Sequence, residues 1–500
     1  MVNNILIEVL GTIAEQERET IRKRQAEGIE AAKAKGKKFG RPVLSFPANW
    51  DKVYASWKAG EITAKTAMEM TGMKRTSFYK LPVCFSWIVF DMDNKLLYIN
   101  IDGFSYSYLE RLQRQFPEGP FAKLIEKGLL FTNLHSGIVS ITNPMQSAIL
   151  CGAWSDQTHN FYQHYDWEND CVVKHRRTCD AENIAQLFLR EGKTVASIHQ
   201  FMLENNPCVE GVKGCAYMKC PQEKSNAFHR LAVLKDLILR KPVVSGDQTF
   251  VYDEFPDFVA VYVDDIDSLG HNNAYEKYPK RAEFEQRQQD ILERLNQIGE
   301  ELLDVLRCCD EAGLQDRLTI LITTDHGMTP FFGESCLADI IRRLNRAGIP
   351  TSLPGERTEN TRVVALSYTI ELSLYCAPDI TAAEKESIEK VCGQAPYIDR
   401  HFGRVEMQRD YGFDPRGPEF LLSPKYGMHF YHRDISDDTF AASHDSFHET
   451  SQHIFGMILG AGVPQNTACE KETVVIDLLP RIVKERFGFV LNPKRQDKEQ

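Results

Sequence analysis

The chain has 500 residues, of which 43% are hydrophobic and 26% are charged. This composition excludes an intrinsically disordered protein, and the length predicts two or three globular domains. The formal net charge of -11 is unevenly distributed, because residues 1–80 carry 15 Lys and Arg against 9 Asp and Glu. A basic head on an acidic body predicts that only the head contacts polyanions such as DNA.

The sequence also predicts where the protein resides. No apolar run approaches the roughly 18 residues that a membrane-spanning helix needs, so no membrane association is expected. The 13 Cys are an odd number, and the chain starts without the charged and apolar regions of a secretion signal. These features together predict reduced thiols and a cytoplasmic location.

Residues 1–36 are predicted to form one long amphipathic helix. Ile5, Val9, Ile13 and Ile21 recur at helical spacing, and charged side chains cover the other faces. A narrow apolar stripe of this kind suits contact with a second helix better than it suits a large core. The sequence therefore predicts a possible dimer through this helix.

Residues 37–81 are predicted to form a basic arm followed by a helix-turn-helix. Thr63 is placed to cap the first helix, and Gly72 is placed to end it. The basic arm has an alternative interpretation as a solvated linker. The side chains predicted to contact DNA are Lys38 and Arg41 in the arm and Lys74, Arg75, Thr76, Ser77 and Lys80 in the second helix.

The head resembles the carboxyl-terminal part of a serine recombinase of the resolvase/invertase type. The resemblance is carried by Glu15–Arg22 at the end of the long helix, by Gly36–Pro42 in the arm and by Thr76–Lys80 in the helix-turn-helix. It implies DNA binding. Recombination is not expected, because the recombinase catalytic domain would precede the long helix. Residues 82–91 fit neither the head nor the body, so we interpret them as the junction of a fusion.

From residue 92 onwards, strand-like runs alternate with helical stretches. The runs Leu96–Ile101, Phe258–Val263 and Thr319–Thr323 are rich in β-branched and apolar residues. This alternation predicts an α/β fold: a doubly wound, mostly parallel sheet with helices on both faces. Each run is followed by acidic or imidazole side chains, which predicts a shared site at the carboxyl edge of the sheet.

Two motifs after these runs have the side chains of a metal site. Asp325 and His326 offer an oxygen and a nitrogen to a divalent cation, although a hydrogen-bonded turn is the simpler alternative. Asp267 and His271 are four residues apart, so one helical turn would place them on the same face. Their alternative interpretation is a capping Asp and an unrelated His.

Thr142 is the candidate nucleophile. Asn143-Pro144 predicts a turn and a helix is predicted from Ser147, so Thr142 would lie near a helix amino terminus, which favours anions. A threonine hydroxyl attacks poorly at neutral pH unless a metal or a base lowers its pKa. Without a metal or a base nearby, Thr142 is only a residue that favours a turn.

A late histidine is expected to complete the site. His444 precedes a buried strand-like run, Ile454–Gly462, and would return beside the sheet. His448 and His453 are nearby alternatives.

Taken in this order, the motifs resemble the alkaline phosphatase superfamily, and most closely its nucleotide pyrophosphatase/phosphodiesterase branch with phosphonoacetate hydrolase-like relatives. The resemblance implies two zinc ions and a phosphothreonine intermediate on Thr142. It also implies a small phosphate ester, nucleotide or phosphonate as substrate. The implied ligands are Asp102, Asp325, His326 and Thr142 for one zinc ion, and Asp267, His271 and His444 for the other.

The chain departs from that family at two places. The family's usual Gly after the last ligand is Asp445 here. The family's asparagine, which helps to hold the phosphoryl oxygen, falls near His159–His164, where Gln163 or His164 would replace it. Asn143, Gln163 and His164 are therefore the predicted substrate contacts.

The predicted organisation is a phosphodiesterase core of residues 92–334 and 436–490, with residues 335–435 as an insertion or cap that selects the leaving group. The competing hypothesis is a DNA-binding, recombinase-like regulator whose phosphatase-like body is catalytically silent. The complete set of metal-ligand side chains favours the hydrolase.

Overall fold

A computed structural model describes residues 53, 62–72, 93–175, 179–203, 215–218, 226–245, 248–272, 278–436 and 439–492. The chain divides into two compact units, residues 1–83 and 84–500. The long helix predicted for residues 1–36, the junction 82–91 and all seven predicted DNA contacts lie outside the described residues.

One helix of the first unit, Ala64–Thr71, is described. The Thr63 hydroxyl accepts a hydrogen bond from the Thr66 N–H at 3.2 Å, which satisfies a backbone donor of the first turn. Gly72 follows the helix with φ +67°, a left-handed conformation that glycine adopts without strain. Thr63 and Gly72 thus begin and end this helix as predicted.

The second unit is built on an eight-stranded sheet. In chain order its strands are β1 (Lys95–Ile101), β2 (Gly128–Phe131), β3 (Val195–Ile198), β4 (Cys215–Met218), β5 (Phe258–Val263), β6 (Leu318–Thr323), β7 (Gly456–Gly460) and β8 (Thr467–Cys469). Their order across the sheet is β8-β2-β7-β6-β1-β5-β3-β4. β7 runs antiparallel to both of its neighbours, and the other pairs are parallel. The predicted α/β fold with a mostly parallel sheet is confirmed.

Helices cover both faces of this sheet. Alternate residues of β1 enter opposite cores: Leu97 and Ile99 belong to one apolar cluster, and Leu96 and Tyr98 belong to the other. Both faces of the central strands are therefore dry, which explains why their sequences read as continuous apolar runs. The helices on the first face are Tyr106–Gln115, Pro120–Glu126, Ala227–Ile238 and Phe284–Glu311. Those on the second face are Thr142–Cys151, Ile184–Arg190 and Leu478–Phe487.

A separate five-stranded sheet lies within residues 337–430 and has its own apolar core. Its order is Thr351–Ser352, Val363–Ser367, Leu372–Cys376, Phe420–Pro424 and Ile398–Gly403. Its helices are Leu337–Arg346, Ala382–Gln394 and Arg404–Tyr411. We call this region the smaller sheet. The bounds 335–435 of a functional cap stay a prediction.

Short elements complete the described part of the second unit. The remaining helices are Ser155–Thr158, Phe201–Leu203, Asp265–Gly270, Glu449–Gln452 and Val475–Asp477. The remaining strands pair as Leu134–His135 with His453–Ile454 and Thr473–Val474, Gln163–Asp166 with Cys171–Lys174, Val243–Ser245 with Gln248–Phe250, and Thr329–Phe331 with Ala441–Ser443.

Two predictions that bear on the cellular location of the protein can be compared with the structure. Among the described residues, no helix combines the length and apolar character that crossing a membrane requires. Within the part of the chain that the structure describes, eight cysteines are free thiols. Cys469 is disulfide-bonded, so the prediction of reduced thiols throughout is wrong for this residue.

Candidate active site

The carboxyl ends of β1, β5 and β6 bring the predicted site residues together. Ile101 pairs with Val263 and Asn100 pairs with Thr323, so the three strands end at nearly the same level. Asp102 follows β1 directly, and it is fully buried. The side chains that follow these strands therefore converge at one edge, where ligands bind in open α/β sheets.

The turn after β1 lets the next motif approach closely. Gly103 has φ +82°, and a Cβ at this position would lie 2.9 Å from the backbone nitrogen of Asp267. That nitrogen donates to the Asp102 carbonyl at 3.0 Å. A side chain at residue 103 would push the Asp265–Gly270 helix away from Asp102, so glycine is needed here.

Asp267 and His271 lie on one side of the Asp265–Gly270 helix, as their spacing predicted. The His271 Nε2 atom is 3.3 Å from Asp267 Oδ1. His444 joins them from the other end of the chain, with its Nε2 atom 3.7 Å from the same oxygen. A ligand atom from each of these three residues lies within 4.8 Å of the other two, which is the spacing of a candidate metal site.

His326 is the centre of a second group. Its Nε2 atom lies 2.9 Å from Thr142 Oγ1, 3.2 Å from Asp102 Oδ1 and 3.5 Å from Asp325 Oδ2. One ligand atom from each of His326, Asp102 and Asp267 lies within 4.8 Å of the other two. Asp267 therefore belongs to both candidate groups, and Asp325 lies beside the second. The two groups are contiguous, because the rings of His326 and His444 stack with centroids 3.8 Å apart.

Each of the three histidines is oriented by a backbone carbonyl. The Nδ1 atom of His271 is 2.9 Å from the Ala442 oxygen, that of His326 is 3.0 Å from the Gly327 oxygen, and that of His444 is 2.8 Å from the Ser140 oxygen. A carbonyl only accepts hydrogen bonds, so Nδ1 carries the proton in each ring. Every Nε2 atom is then directed at the centre, which is the orientation that a metal ligand requires.

Three carboxylate oxygens of the site are left without hydrogen bonds by the surrounding described residues. Asp102 Oδ1, Asp267 Oδ1 and Asp325 Oδ2 are buried, and none accepts a hydrogen bond from a described residue. The imidazole Nε2 atoms lie 3.2–3.7 Å from these oxygens without hydrogen-bonding them, and buried charges without such bonds are unfavourable. Three such oxygens beside three imidazole nitrogens form an N/O donor set that fits divalent zinc.

The pKa values of these groups show how strongly they interact when no cation is bound. Burial lowers the pKa of His271, but the charge of Asp267 outweighs burial and raises it to about 9, so a cation would have to displace the proton on Nε2 of this ring. Burial raises the pKa of Asp102 well above its usual range, and the charges of Asp325 and Asp267 raise it further. Burial lowers the pKa of His444 well below its usual value, and His326 adds to that effect. Burial opposes ionisation of Asp267, but the charge of His271 outweighs it, so the pKa of Asp267 is lowered. A divalent cation would stabilise the ionised carboxylates and the neutral imidazoles together.

Thr142 begins a buried helix, Thr142–Cys151. The sequence predicted a turn at Asn143-Pro144 and a helix from Ser147. The helix in fact includes Asn143 and Pro144, because a proline in the first turn has no N–H that the helix would use. No side chain caps this helix, so its positive end is directed at the site.

The predicted substrate contacts divide into two groups. Asn143 and Gln163 line a cavity of about 1190 Å³ that also contains Thr142, Asp267, His271 and His444 in its wall. His164 is absent from the described cavity lining and instead bonds through Nδ1 to His175 Nε2 at 2.8 Å.

The alternative histidines lie elsewhere. His448 Nδ1 is 2.9 Å from the Thr450 hydroxyl. The His453 ring stacks on Tyr106 with centroids 4.2 Å apart. His444 alone of the three candidates reaches the metal-binding groups formed by the described residues.

Sequence reasoning missed three residues near the site. Tyr262 in β5 donates its hydroxyl to Asp102 Oδ2, and a single hydroxyl-bearing side chain in the otherwise apolar run Phe258–Val263 is the signal that marks it. Asn160 is buried and donates to Asn143 Oδ1 at 3.0 Å. Asp445 binds the loop of the smaller sheet. Asn160 and Asp445 each contact residues from another part of the chain. No sequence pattern identifies these contacts.

The sheet has an alkaline phosphatase-like fold, with the candidate metal-binding groups at its carboxyl edge. Residues 96–447, more than half of the chain, match the family model described as type I phosphodiesterase / nucleotide pyrophosphatase. The chain belongs to this family of metal-dependent hydrolases, which confirms the predicted resemblance.

Solved structures with the same fold share little sequence with this chain. Human ectonucleotide pyrophosphatase/phosphodiesterase 5 is 15% identical with a TM-score of 0.56, and the alignment covers 81% of this chain and 97% of that one. The murine protein is 13% identical with a TM-score of 0.57 and the same coverage of both chains. An inactive threonine-to-alanine variant of the murine protein in complex with AMP is 12% identical, with a TM-score of 0.57 and again 81% and 97% coverage.

The head has a separate match. Residues 1–38 match the family model of the resolvase N-terminal domain. The recombinase resemblance is thereby confirmed for the predicted long helix. The match ends before the helix-turn-helix, which stays a prediction.

Proposed function

We propose that the protein is a two-zinc phosphodiesterase or nucleotide pyrophosphatase that acts through a phosphothreonine intermediate on Thr142. The observation that carries this proposal is the set of three buried carboxylate oxygens without hydrogen bonds beside three oriented Nε2 atoms. That arrangement is unfavourable by itself and becomes favourable with bound cations. A catalytically silent body would have no reason to retain it.

In this proposal, Asp102, Asp325, His326 and Thr142 hold one zinc ion, and Asp267, His271 and His444 hold the other. When bound, the pair would act as Lewis acids that stabilise the charges on the attacking and leaving oxygens. Tyr262 orients Asp102 through its hydrogen bond. The three backbone carbonyls that accept from Nδ1 hold the rings in the ligand-competent tautomer.

Thr142 is the proposed nucleophile because its hydroxyl is 2.9 Å from His326 Nε2 and it lines the same cavity as Asp267 and His444. A bond forms between its Oγ1 and phosphorus while the bond from phosphorus to the leaving oxygen breaks. The hydroxyl proton passes to solvent, and the leaving group takes up a proton. Water then cleaves the phosphothreonine and restores the hydroxyl. The uncapped amino end of the Thr142–Cys151 helix would stabilise the phosphoryl charge.

The cavity favours a substrate with extra negative charge. Lys174, Lys280 and Arg433 line it, and none of them forms an ion pair with a described residue. Lys174 pairs directly with Gln163 across a two-stranded hairpin, which places it near the proposed substrate contacts. Asn143 and Gln163 are proposed to orient the substrate. A nucleotide satisfies both the charge and the size of the cavity, and AMP is the ligand of the murine relative.

A substrate panel tests this proposal on the full-length protein. We expect about two zinc ions per chain by mass spectrometry of the metals, and hydrolysis of bis-p-nitrophenyl phosphate that depends on added zinc. We also expect kcat/KM to be about 10-fold higher for a nucleotide pyrophosphate than for p-nitrophenyl phosphate, because unpaired cations bind the additional charge. A phosphonate belongs in the same panel. A zinc-loaded protein that cleaves none of these compounds would refute the proposal.

Parts of the smaller sheet and its loops are proposed to form a cap that selects the leaving group. Ser367, Tyr368, Thr369, Tyr431 and Arg433 all lie in the range 335–435 and line the cavity. The leaving group therefore has to pass or contact this wall. The remainder of the second unit would then be the catalytic core of residues 92–334 and 436–490.

We propose that the head binds DNA and forms a dimer through its long helix in a cytoplasmic protein. Support comes from the basic charge of residues 1–80 and from the resolvase match over residues 1–38. We expect the full chain to shift recombination-site DNA on a gel at low salt, where phosphate contacts are strongest. A variant with alanine at Lys38, Arg41, Lys74, Arg75 and Lys80 should lose that shift while it keeps its hydrolase activity. Equal shifts for both proteins would exclude these side chains.

A further inference from the structure

We infer that Asp445 is a positioning residue that fixes one wall of the substrate cavity relative to the metal-binding His444. This inference rests on the proposed function, because it assigns a role within that site. It concerns a buried side chain that connects two segments far apart in the chain.

Both carboxylate oxygens of Asp445 are used in hydrogen bonds. Oδ2 accepts from three successive backbone N–H groups, those of Thr369 at 2.8 Å, Ile370 at 2.8 Å and Glu371 at 3.2 Å. Oδ1 accepts from the Ser443 hydroxyl at 2.6 Å. Asp445 is 2% exposed, so these charge-assisted bonds are shielded from water and are stronger than their surface equivalents.

The loop that Asp445 holds belongs to the smaller sheet. It joins the strands Val363–Ser367 and Leu372–Cys376. Tyr368 and Thr369 of this loop line the cavity. Asp445 reaches the loop from a segment 76 residues further along the chain, and the adjacent residue is His444. One side chain thus connects the cavity wall to a residue of the metal-binding group.

The same loop also supports Gln163. The Tyr368 hydroxyl donates to the Gln163 carbonyl at 3.2 Å. A shift of the loop would therefore move both the aromatic wall and a proposed substrate contact. His444 would stay in place, because its own Nδ1 is held by the Ser140 carbonyl. Loss of Asp445 should consequently weaken substrate binding more than it affects the metal centre.

Asp445→Asn separates a positioning role from a purely structural one. The amide retains the size of the side chain but removes its negative charge, so the bonds from the three N–H groups lose their charge assistance in either orientation of the amide. We expect KM for the nucleotide substrate to rise about 10-fold, while kcat changes less than about threefold. Zinc content and inhibition by inorganic phosphate, which needs only the metal centre, should be unchanged. An unchanged KM would overturn the inference.

Asp414→Asn is the matched control. Asp414 is also a 2% exposed carboxylate, but it pairs with His159 and Arg416 at 2.8 Å each and is absent from the described cavity lining. The two substitutions should lower the melting temperature similarly. Only Asp445→Asn should change KM. An equal change of KM in both variants would mean that the loss of any buried carboxylate explains the effect.

Hydrogen exchange gives a readout that does not depend on activity. In the wild type, the amides of residues 369–371 should be protected, and Asp445→Asn should accelerate their exchange at least about 10-fold. Ser443→Ala, which retains the carboxylate, should give a smaller change in the same direction if Asp445→Asn does not fold. Unaltered exchange would refute the inference. An inactive wild type with the expected exchange would instead refute only the proposed hydrolase function.

Discussion

Thr142→Ala is expected to reduce kcat for bis-p-nitrophenyl phosphate by on the order of 10³-fold or more, because it removes the proposed nucleophile. The hydroxyl lies 2.9 Å from His326 Nε2 at the amino end of a buried helix. Binding and charge stabilisation by the rest of the site would survive, so a low residual rate is expected. Steady-state kinetics of the two zinc-loaded proteins measures the effect.

Thr142→Ser provides the control for this result. Serine retains the hydroxyl and loses only a methyl group, so it should recover much of the activity that alanine loses. The zinc content of both variants should stay close to that of the wild type, since the proposed carboxylate and imidazole ligands remain. Trapping with a radiolabelled substrate should label the wild type and the serine variant but not the alanine variant. Equal rates for Thr142→Ala and the wild type would remove Thr142 as nucleophile.

Asp267→Asn is expected to abolish activity at ordinary zinc concentrations and to weaken zinc binding by at least about 100-fold. Changes to groups that merely support metal ligands already cost 10–100-fold, and Asp267 is itself a proposed ligand. Asp267 belongs to both candidate metal groups, so the loss should affect both ions. Titration of the metal-free protein with zinc by calorimetry measures the affinity.

Asp265→Asn is a close control because it makes the same change on the same helix. Asp265 is buried but faces away from the site: it accepts from the Ala227 N–H at 2.8 Å and the Tyr278 hydroxyl at 2.8 Å, and it pairs with Arg294 at 3.0 Å. This variant should unfold at a lower temperature yet bind zinc normally when folded. Zinc binding by Asp267→Asn with wild-type affinity would show that the carboxylate cluster has another purpose.

The candidate ligands were largely predictable from local patterns. The i, i+4 spacing of Asp267 and His271 survives folding because both lie on one short helix and its end. Asp102, Asp325 and His326 were found because they follow buried strands, and parallel strands end at a common edge. These signals come from short segments of the chain, so they can be recognised in a single sequence.

Contacts made across the chain could not be predicted in this way. The hydrogen bond between Tyr262 and Asp102 depends on the registration of β5 against β1, in which Tyr262 pairs with Asn100. The choice of His444 over His448 and His453 depends on where a loop returns beside Ser140. A resemblance named His444, but its spacing in the sequence did not distinguish it from its neighbours.

The sequence by itself determined the α/β class, the strands that carry the site and the residue types that bind metal, because hydrophobic periodicity and strand-end chemistry are properties of short segments. Only the tertiary structure decided that three buried carboxylate oxygens lack hydrogen bonds, that Asp267 is shared between two groups, and that Asp445 holds a loop 76 residues away. Those facts depend on distances between segments far apart in the chain, which the packing of the two sheets and their helices sets.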